Sequence, residues 1–509
     1  MKKKILPVIA AMALILVVIL FMVLGKIIEK YTPTDERQDL SIHYNLSSEQ
    51  DTAIIYNNEL LEAKALFYNG IVYLSIDTVK DYINDRFYWD TNENILRYTT
   101  ANDLISVPAE STSYTITKTP QTADHTLVKI DGETAYVAID FVKTYSDFTY
   151  EFFEGPNRVL ITTAWGDYSL ATAKKNADLR VLGGIKSPIL HELTKGEELI
   201  ILEEMETWTK VITSDGIIGY TKAKNLSNAS TKTLTSEYTP EEFTHIKKDF
   251  EINMAWHQII SRSANDNISS ILQNSKGINV ISPTWFYLKD TNGGLGSLAS
   301  TDYVNYCHQQ GVEVWALVSN FGAKDQGLEN PDLVTILTHT SNRDNLVNNI
   351  ISYAIQYNLD GINIDFESVD PAVGDSYIQF IRELSLKCDN NGIVLSVDNY
   401  VPTAYTAFYN RAEQALFADY VAIMAYDEHT ARSEEPGSVA SIGWVTEGIQ
   451  NTLKEVPADQ VILGMPFYAR VWCLTPSDDV TAPSEGDVSD SYTNYDISCY
   501  SASMGEQKT

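Results

Sequence analysis

Acidic and amide side chains alternate with apolar ones along residues 360–367, which read DGINIDFE. Strand side chains alternate between the two faces of a sheet, so Asn363, Asp365 and Glu367 would share one face. Burying neighbouring carboxyl groups is costly unless one is protonated or both are hydrogen-bonded, and this pressure produces a general acid with a raised pKa. The spacing therefore predicts acid catalysis, with an acidic strand end that ligates a metal or caps a loop as the alternative.

Buried apolar runs alternate with helical stretches from about Phe250 onward, which is the pattern of parallel β/α units. Seven runs read as strands: 252–259, 278–288, 313–321, 361–367, 393–400, 420–426 and 461–472. Four stretches read as connecting helices: 300–310, 342–356, 375–390 and 444–456. This array predicts an α/β fold, a (β/α)8 TIM barrel that lacks its last strand. Glu367 would lie at the C-terminal end of its strand, where catalytic residues of such barrels sit.

Three stretches in this array resemble motifs of the family 18 glycoside hydrolases, the chitinase-like enzymes. Residues 360–367 resemble the DxxDxDxE signature of that family. Residues 424–427 are similar to its M-x-Y-[DN] strand end, and residues 464–470 to its G-x-P-x-Y-x-R strand. The resemblance covers about residues 245–509, and the first of these motifs is its most specific part.

The resemblance implies substrate-assisted hydrolysis with net retention at the anomeric carbon. Glu367 would protonate the glycosidic oxygen, and Asp365 would hold the N–H of the sugar's own 2-acetamido group. Tyr426 would orient the acetamido carbonyl, whose oxygen attacks the anomeric carbon. The likeness implies sugar-binding roles for Asn363, Asp427, Tyr468, Arg470 and Trp285. It implies no metal and no cofactor.

Some of these sugar-binding roles have structural alternatives. A structural hydrogen bond is the alternative for Tyr468 and Arg470, and packing in the core is the alternative for Trp285.

The chain departs from the family signature at Asn363, which stands where the family has its middle aspartate. An amide can hydrogen-bond Asp365, but it cannot share or accept a proton. We therefore expect Asp365 to stay ionised over a wider pH range, which would shift the acid limb of activity. The chain also reaches Thr509 without the tryptophan-bearing eighth strand that the family usually has. We expect an incomplete barrel through truncation, or closure by another segment.

Residues 253–256, 282–286 and 314–320 most resemble the branch of the family found in spore-cortex and cell-wall glucosaminidases of Gram-positive bacteria. That likeness makes peptidoglycan the expected substrate of an extracellular β-1,4-glycan hydrolase, with chitin-type oligomers second. The implied mechanism needs an N-acetyl group on the attacked sugar, which excludes cellulose-like chains. The alternative is a carbohydrate-binding, lectin-like surface protein on an inactive barrel, although the intact Glu367 argues against it.

Residues 5–25 form an uncharged, mostly apolar run that follows three lysines. As a helix this run is long enough to span the roughly 30 Å hydrocarbon core of a membrane, and the lysines favour a cytoplasmic N-terminus. No small-x-small cleavage site follows, so we expect an uncleaved single-pass anchor, with a removed signal peptide as the alternative. The bulk of the chain would then lie outside the cell.

An internal repeat follows the apolar run: residues 69–80 recur as 131–143, and residues 95–101 recur as 159–164. Each copy predicts a turn, a strand, a short helix and a closing strand. These units resemble the stalk-like N-terminal domain of copper amine oxidases, which implies a spacer without copper chemistry; ligand binding is the alternative. Residues 178–226 resemble a bacterial SH3-like domain, a small all-β barrel often associated with cell-wall peptides.

The 509-residue chain carries 37 Lys and Arg against 68 Asp and Glu, a net charge of −31. This excess argues against a nucleic-acid partner, whose phosphates are bound mainly by Lys and Arg. Four scattered cysteines predict no disulfide scaffold, although Cys473 and Cys499 could pair in an oxidising compartment. The predicted organisation is a transmembrane anchor (5–25), a duplicated stalk-like α+β domain (50–165), the SH3-like domain (178–226), a linker (227–244) and the barrel (245–509).

Overall fold

The computed structural model describes residues 2–476 and 495–503. The chain divides into two compact units, each assembled from segments that alternate along the sequence. Unit 1 consists of Met1–Phe87, Ala109–Thr112 and Ala123–Pro240, and unit 2 consists of Tyr88–Pro108, Ser113–Thr122 and Glu241–Thr509.

The helices are, in chain order, α1 Lys2–Tyr31, α2 Leu40–His43, α3 Ile76–Tyr82, α4 Ile139–Thr144, α5 Ile268–Asn274, α6 Thr301–Gln309, α7 Leu333–Thr338, α8 Thr340–Tyr357, α9 Gly374–Asp389, α10 Arg411–Phe417 and α11 Ile442–Thr452. Short 3-10 helices lie at Ala223–Asn225, Arg262–Asn267, Lys324–Gln326, Pro371–Val373, Ala404–Tyr409 and Ala458–Gln460.

The strands up to residue 234 are β1 Asp51–Tyr56, β2 Glu59–Tyr68, β3 Ile71–Ser75, β4 Tyr88–Asp90, β5 Ile95–Thr99, β6 Leu104–Pro108, β7 Ser113–Ile116, β8 Thr119–Thr122, β9 Val128–Asp131, β10 Thr134–Ala138, β11 Thr149–Phe153, β12 Arg158–Thr162, β13 Gly166–Thr172, β14 Ala177–Arg180, β15 Ile189–Leu193, β16 Glu198–Glu204, β17 Trp208–Thr213, β18 Ile218–Lys222 and β19 Ser230–Leu234. The later strands are β20 Met254–His257, β21 Val280–Pro283, β22 Phe286–Leu288, β23 Leu295–Ser297, β24 Glu313–Ser319, β25 Gly361–Asp365, β26 Val394–Tyr400, β27 Tyr420–Met424, β28 Val461–Gly464, β29 Tyr468–Pro476 and β30 Tyr495–Ser503.

Helix α1 contains the apolar stretch Val8–Tyr31, which by length and composition could cross a membrane. A signal sequence near an N-terminus has the same length and composition. The chain therefore has one N-terminal apolar helix that is either a membrane span or a signal.

The internal repeat occupies one seven-stranded sheet of unit 1, with strand order β11-β12-β1-β2-β3-β10-β9. The repeated strands β3 and β10 are antiparallel neighbours, with Leu74 opposite Val137, and each leads directly into a short helix. The predicted turns before these strands hold backbone at positive φ, +85° at Gly70 and +60° at Gly132, where glycine carries no steric penalty. The likeness to stalk-like domains stays a prediction.

The two closing strands of the repeat lie in different sheets, which corrects the predicted domain boundary. Strand β12 pairs with β1 inside unit 1. Strand β5 instead belongs to a five-stranded antiparallel sheet, β4-β5-β6-β7-β8, whose residues fall in unit 2. Residues 50–165 are therefore not one domain, and residues 245–509 are only part of the unit that holds the barrel.

A second seven-stranded sheet of unit 1 runs in the order β15-β14-β18-β17-β16-β13-β19, and every pair in it is antiparallel. Buried aliphatic side chains such as Leu179, Leu199 and Val211 form its core. The predicted linker at 227–244 is wrong in its first half, because β19 pairs with β13 from Gly166 to Leu170. The SH3-like assignment stays a prediction.

Seven parallel strands of unit 2 follow sequence order, β20-β21-β24-β25-β26-β27-β28. Strand β25 is buried along its whole length, as expected for a parallel strand covered on both faces. The predicted run 278–288 divides into β21 and β22. The run 461–472 divides into β28, which joins this sheet, and β29, which forms a hairpin with β30. Within residues 2–476 and 495–503, β20 and β28 do not pair with each other, so this sheet is an open half-barrel.

The five-stranded sheet β4–β8 hydrogen-bonds to helices of the barrel through buried polar side chains. The Tyr88 hydroxyl lies 2.9 Å from the Ser376 hydroxyl, and Arg97 donates to Asp344 at 2.7 Å. Arg343 on α8 holds Glu383 on α9 at 3.2 Å, and both side chains are inaccessible to solvent or nearly so. The bonds from β4 and β5 join residues 247 to 288 positions apart in sequence.

Candidate active site

Strand β25 places two of the predicted site residues inside the barrel sheet. Asn363 is fully buried and Asp365 is 8% exposed. Glu367 lies two residues beyond the strand end and is half-buried. The three polar residues of this segment therefore lie where the alternation predicts them. The carboxyl group of Asp365 is more deeply buried than that of Glu367.

Two residues from neighbouring strands hold Glu367 in place. The Tyr400 hydroxyl donates to its carboxylate Oε2 at 2.9 Å. The Asn320 side chain accepts from the Glu367 backbone N–H at 2.9 Å and donates to the Glu367 carbonyl at 2.8 Å. Ser368 then turns the chain away with a φ of +52°. Hydrogen bonds therefore fix the carboxyl group of Glu367 and also its backbone N–H and carbonyl.

The side-chain amide of Asn363 makes four hydrogen bonds. Its oxygen accepts from Trp256 Nε1 at 2.9 Å and from Ser282 Oγ at 3.2 Å. Its Nδ2 donates to Ser396 Oγ at 3.1 Å and to Asp398 Oδ1 at 2.8 Å. The expected bond from Asn363 to Asp365 is not formed, because the amide N–H groups point along β26 instead. Asn363 is therefore a buried residue that links neighbouring strands through hydrogen bonds, and it has no exposed surface for contact with a sugar.

Asp398 is the site residue that the sequence analysis missed. It lies on β26 and is 2% exposed. A signal was available, since Ser396, Asp398 and Tyr400 occupy every second position of a strand whose other residues, apart from Asn399, are apolar.

Burial raises the pKa of Asp398 to about 7, while the hydrogen bond from Asn363 partly opposes the shift and the charge of Glu367 adds to it. Burial, followed by the charges of Asp398 and Glu367, raises the pKa of Asp365 well above its usual range. Desolvation and like charge thus oppose ionisation of Asp365 whatever stands at position 363. The expected effect of Asn363 on the acid limb stays a prediction.

Tyr426 follows the end of β27 and stands between two other aromatic rings. Its ring meets Trp256 edge-on at 6.5 Å and Tyr468 edge-on at 6.3 Å between centroids. Burial is the main cause that raises the pKa of its phenol, so the hydroxyl stays protonated and able to donate a hydrogen bond. This suits the predicted role of orienting a carbonyl oxygen.

Asp427, Tyr468 and Arg470 form a small polar cluster. Asp427 accepts hydrogen bonds from the Tyr468 hydroxyl and from the Arg470 guanidinium. Its backbone adopts a φ of +64°, which turns the side chain toward both partners. These bonds fit the structural alternative for Tyr468 and Arg470, while Asp427 and Arg470 also line the cavity described next.

Trp285 is fully buried, and its indole N–H donates to Asn265 at 2.8 Å. Its ring packs edge-on against Tyr303 at 4.9 Å. A ring without exposed surface cannot stack on a sugar, so the predicted sugar-binding role of Trp285 is wrong and core packing is its role.

A cavity of about 770 Å³ opens over the ends of these strands. Its lining includes Asp365, Glu367, Asp398, Tyr400, Tyr426, Asp427 and Arg470, together with Trp256, Trp444 and Arg432. The lining residues that were not predicted include Asp398, Tyr400, Arg432 and Trp444. Among the residues that the structure describes, no group of three or more His, Cys, Asp or Glu side chains could hold a metal ion. The arrangement offers the accessible carboxyl group of Glu367, a deeper carboxyl pair and aromatic walls, which suits acid-catalysed cleavage of a sugar linkage.

Residues 287–505 match the family model described as glycosyl hydrolases family 18. This match, with relatives named as glycosylases and lytic enzymes, supports a glycosidase. The chain is 29% identical over 189 residues to the uncharacterized glycosylase YvbX of Bacillus subtilis (strain 168), covering 36% of this chain and 55% of that protein. It is 23% identical over 235 residues to the cortical fragment-lytic enzyme of the same organism, covering 45% and 53%. The crystal structure of the Bacillus cereus spore cortex-lytic enzyme SleL aligns at 19% identity and a TM-score of 0.39, covering 54% and 60%. The chain spans about half the length of these curated relatives.

Proposed function

We propose that this protein hydrolyses a β-1,4-linked glycan that contains N-acetylglucosamine, by substrate-assisted catalysis with retention. The observation that carries the proposal is the placement of Glu367 at the cavity surface above the buried Asp365. Two carboxyl groups at different depths can take different protonation states and therefore different roles. The family 18 match over residues 287–505 supports the same class of reaction.

In the proposed reaction, Glu367 donates its proton to the glycosidic oxygen as the bond to the anomeric carbon breaks. The carbonyl oxygen of the substrate's 2-acetamido group forms the new bond to that carbon, giving a cyclic oxazolinium intermediate. Asp365 accepts the acetamido N–H and offsets the positive charge, and the Tyr426 hydroxyl donates to the acetamido carbonyl. Water activated by the Glu367 carboxylate then opens the ring, which restores the acid and the original anomeric configuration.

We propose peptidoglycan as the substrate, in preference to chitin. The names of the relatives point to cortex and cortical fragments. A second indication is Arg432, which lines the same cavity as Glu367. Peptidoglycan carries carboxylates that chitin lacks, on its peptide stems and on muramic acid residues without a stem, and a guanidinium group binds carboxylates through paired hydrogen bonds.

The loop that carries Arg432 is held in place from both sides. The Glu428 carboxylate accepts from the Ser441 backbone N–H at 2.6 Å and from Ser438 Oγ at 2.8 Å. Trp472 donates its indole N–H to the Gly437 carbonyl at 2.9 Å. Within residues 2–476 and 495–503, the Arg432 side chain has no hydrogen-bond or ion-pair partner. The loop therefore presents an uncompensated cation to an otherwise acidic cavity.

The location that fits this substrate is the outside of the cell. We propose that α1 anchors the chain in the cytoplasmic membrane, with the catalytic unit facing the wall. Fusing a reporter after residue 240 and testing its access to an impermeant label would check the orientation.

The test of the function is mass spectrometry of products from the purified full chain, incubated with peptidoglycan and with N-acetylglucosamine oligomers. We expect fragments with new reducing N-acetylglucosamine ends, and none from the matched Glu367→Gln protein. If neither substrate yields products while sugar binding is retained, the lectin-like alternative replaces this proposal.

A further inference from the structure

Asp398 has no role in the reaction proposed above, yet it is the most deeply buried carboxyl group of the cavity. Strands β25 and β26 are parallel, with Asn363 opposite Ser396 and Ile364 opposite Val397. The next step of this register sets Asp365 beside Asp398 on the same face. Neighbouring strands lie about 4.8 Å apart, which brings two such carboxyl groups within reach of one another.

The hydrogen bonds around this pair leave one position open. Asp398 Oδ1 accepts from Asn363, whose amide is fixed in that orientation by the two donors on its own oxygen. Asp365 Oδ1 is buried and has no hydrogen-bond partner among the residues that the structure describes. A buried carboxyl oxygen without a partner is costly, and a proton held between Asp365 and Asp398 would remove that cost.

Among the residues that the structure describes, no positive charge is a cause of the pKa shifts of Asp365 and Asp398. The other groups coupled electrostatically to the pair are Glu367 beyond β25 and the tyrosines Tyr377, Tyr409 and Tyr426. Of the two guanidinium groups in the cavity lining, Arg470 is bonded to Asp427 and Arg432 lies on the loop after β27. Two adjacent carboxyl groups in such surroundings bind one proton jointly.

We propose that Asp398 is a positioning residue that shares one proton with Asp365 and takes full possession of it when substrate binds. The pair then carries one proton and one negative charge throughout. The proton leaves Asp365 for Asp398, and the negative charge appears on Asp365, where it meets the acetamido N–H. No external donor or acceptor is needed. This inference rests on the glycosidase function proposed above.

The test compares the pH dependence of kcat/KM for the wild-type full chain and Asp398→Asn. A shared proton lowers the first pKa of a carboxyl pair and raises the second, so the wild-type acid limb lies at low pH. With an amide at position 398, Asp365 titrates alone in a desolvated site. We expect the acid limb of Asp398→Asn to move up by about one pH unit or more, with kcat/KM about 10- to 100-fold lower at the wild-type optimum.

The double variant Asn363→Asp with Asp398→Asn exchanges a carboxyl group and an amide that lie 2.8 Å apart. We expect it to regain much of the lost activity and the low acid limb, because a second carboxyl group again lies near Asp365. The matched control is Ser396→Ala, which removes another Asn363 partner but no titratable group. It is expected to keep the wild-type limb. The proposal is overturned if Asp398→Asn lowers kcat/KM by the same factor at every pH without moving the acid limb. It is also overturned if the double variant regains no activity.

A second measurement separates this inference from the proposed function. In a pH titration of the infrared carboxylic-acid band of the full chain, the last proton of the pair is expected to persist to a higher pH in wild type than in Asp398→Asn, because the like charge of Asp398 is removed in the variant, and Ser396→Ala should match wild type. If the wild-type chain cleaves no glycan but shows this difference, the glycosidase proposal fails and the shared proton stands. If wild type and Asp398→Asn lose the band at the same pH, the shared proton is refuted whatever the activity. Thermal melting of each variant confirms that it is folded.

Discussion

Glu383 on α9 and the pair Asp365–Asp398 in the barrel sheet are all nearly completely buried, yet their surroundings are opposite. Arg343 lies against Glu383 at 3.2 Å, and Arg97 approaches it at 3.8 Å. Burial alone would raise the pKa of Glu383, but the charges of Arg343 and Arg97 lower it below its ordinary value. For the Asp365–Asp398 pair, burial and like charge raise the pKa.

The difference separates two uses of a buried carboxyl group. Near the five-stranded sheet, the charge of Glu383 is compensated on several sides and its proton is never needed. In the cavity, burial and like charge raise the pKa of the Asp365–Asp398 pair, which suits the proton sharing proposed above. Structural carboxylates are paired with cations, whereas reactive ones are kept apart from them.

The largest expected effect is on catalysis alone. We expect Glu367→Gln to lower kcat/KM about 10³-fold, because the glutamine amide cannot donate a proton to the glycosidic oxygen. The free energy of unfolding in urea should stay within about 0.5 kcal/mol of wild type, since Glu367 is half-buried and its backbone contacts remain. Parallel rate and unfolding measurements check this. A large loss of stability would mean that the carboxyl group of Glu367, like that of Glu383, stabilises the fold.

Removing the cation from the compensated cluster should cost stability and not chemistry. We expect Arg343→Met to lower the free energy of unfolding by about 3–5 kcal/mol, because it leaves Glu383 buried without its nearest positive partner. Activity per folded molecule should be unchanged. The matched control is the double variant Arg343→Met with Glu383→Leu, which removes both charges and should recover most of the loss in urea unfolding. Equal losses in both proteins would contradict charge compensation as the cause.

The two clusters should respond to pH with opposite sign. A raised folded-state pKa stabilises below the unfolded pKa and loses that contribution as pH rises, so Asp398 weakens the fold between about pH 4 and 7. A lowered pKa stabilises above the unfolded value and is lost as pH falls, as for Glu383. At pH 8 we expect Asp398→Asn to be about 2–4 kcal/mol more stable than wild type, with the gain vanishing near pH 4. Glu383→Gln should be less stable at pH 8, with its deficit shrinking in acid. Urea unfolding across this range measures both.

The smallest expected effect concerns Arg432, whose guanidinium lines the cavity without an ion-pair partner among the described residues. We expect Arg432→Ala to lower kcat/KM on peptidoglycan about 5- to 10-fold, which is about 1 kcal/mol for a partly solvated charge–carboxylate contact. On N-acetylglucosamine oligomers, which carry no carboxylate, the rate should not change. Arg432→Lys should lose less than Arg432→Ala. An equal drop on both substrates would place Arg432 among general sugar contacts instead of substrate selection.

The main features of the barrel sheet could be predicted from local pattern. The seven runs fell on strands because buried parallel strands are short, apolar and separated by helices. The alternation at residues 360–367 was enough to place Asn363, Asp365 and Glu367 on one face. These features depend on periodicity alone, which a single sequence contains.

The contacts that define the two carboxyl clusters depend on distant residues and were not predicted. Whether Asn363 bonds to Asp365 or to Asp398 is decided by Trp256 and Ser282, which reach it from other strands. Trp285 was predicted to bind sugar, but no local sequence pattern distinguishes an exposed ring from one that packs on Tyr303. Strand β5 matched β12 in sequence, yet its partners lie on helices far along the chain.

The alternation of segments between the two units has a consequence for how this protein could arise or be dismantled. The boundaries at 87/88, 108/109, 112/113, 122/123 and 240/241 mean that no single cut separates the units. Recombination at residue 240 would transfer the barrel strands without β4–β8. Glu383 would then lose Arg97, one of its two positively charged partners. A fragment that begins at residue 241 would therefore lack Tyr88–Pro108 and Ser113–Thr122, which belong to the same compact unit as the barrel strands.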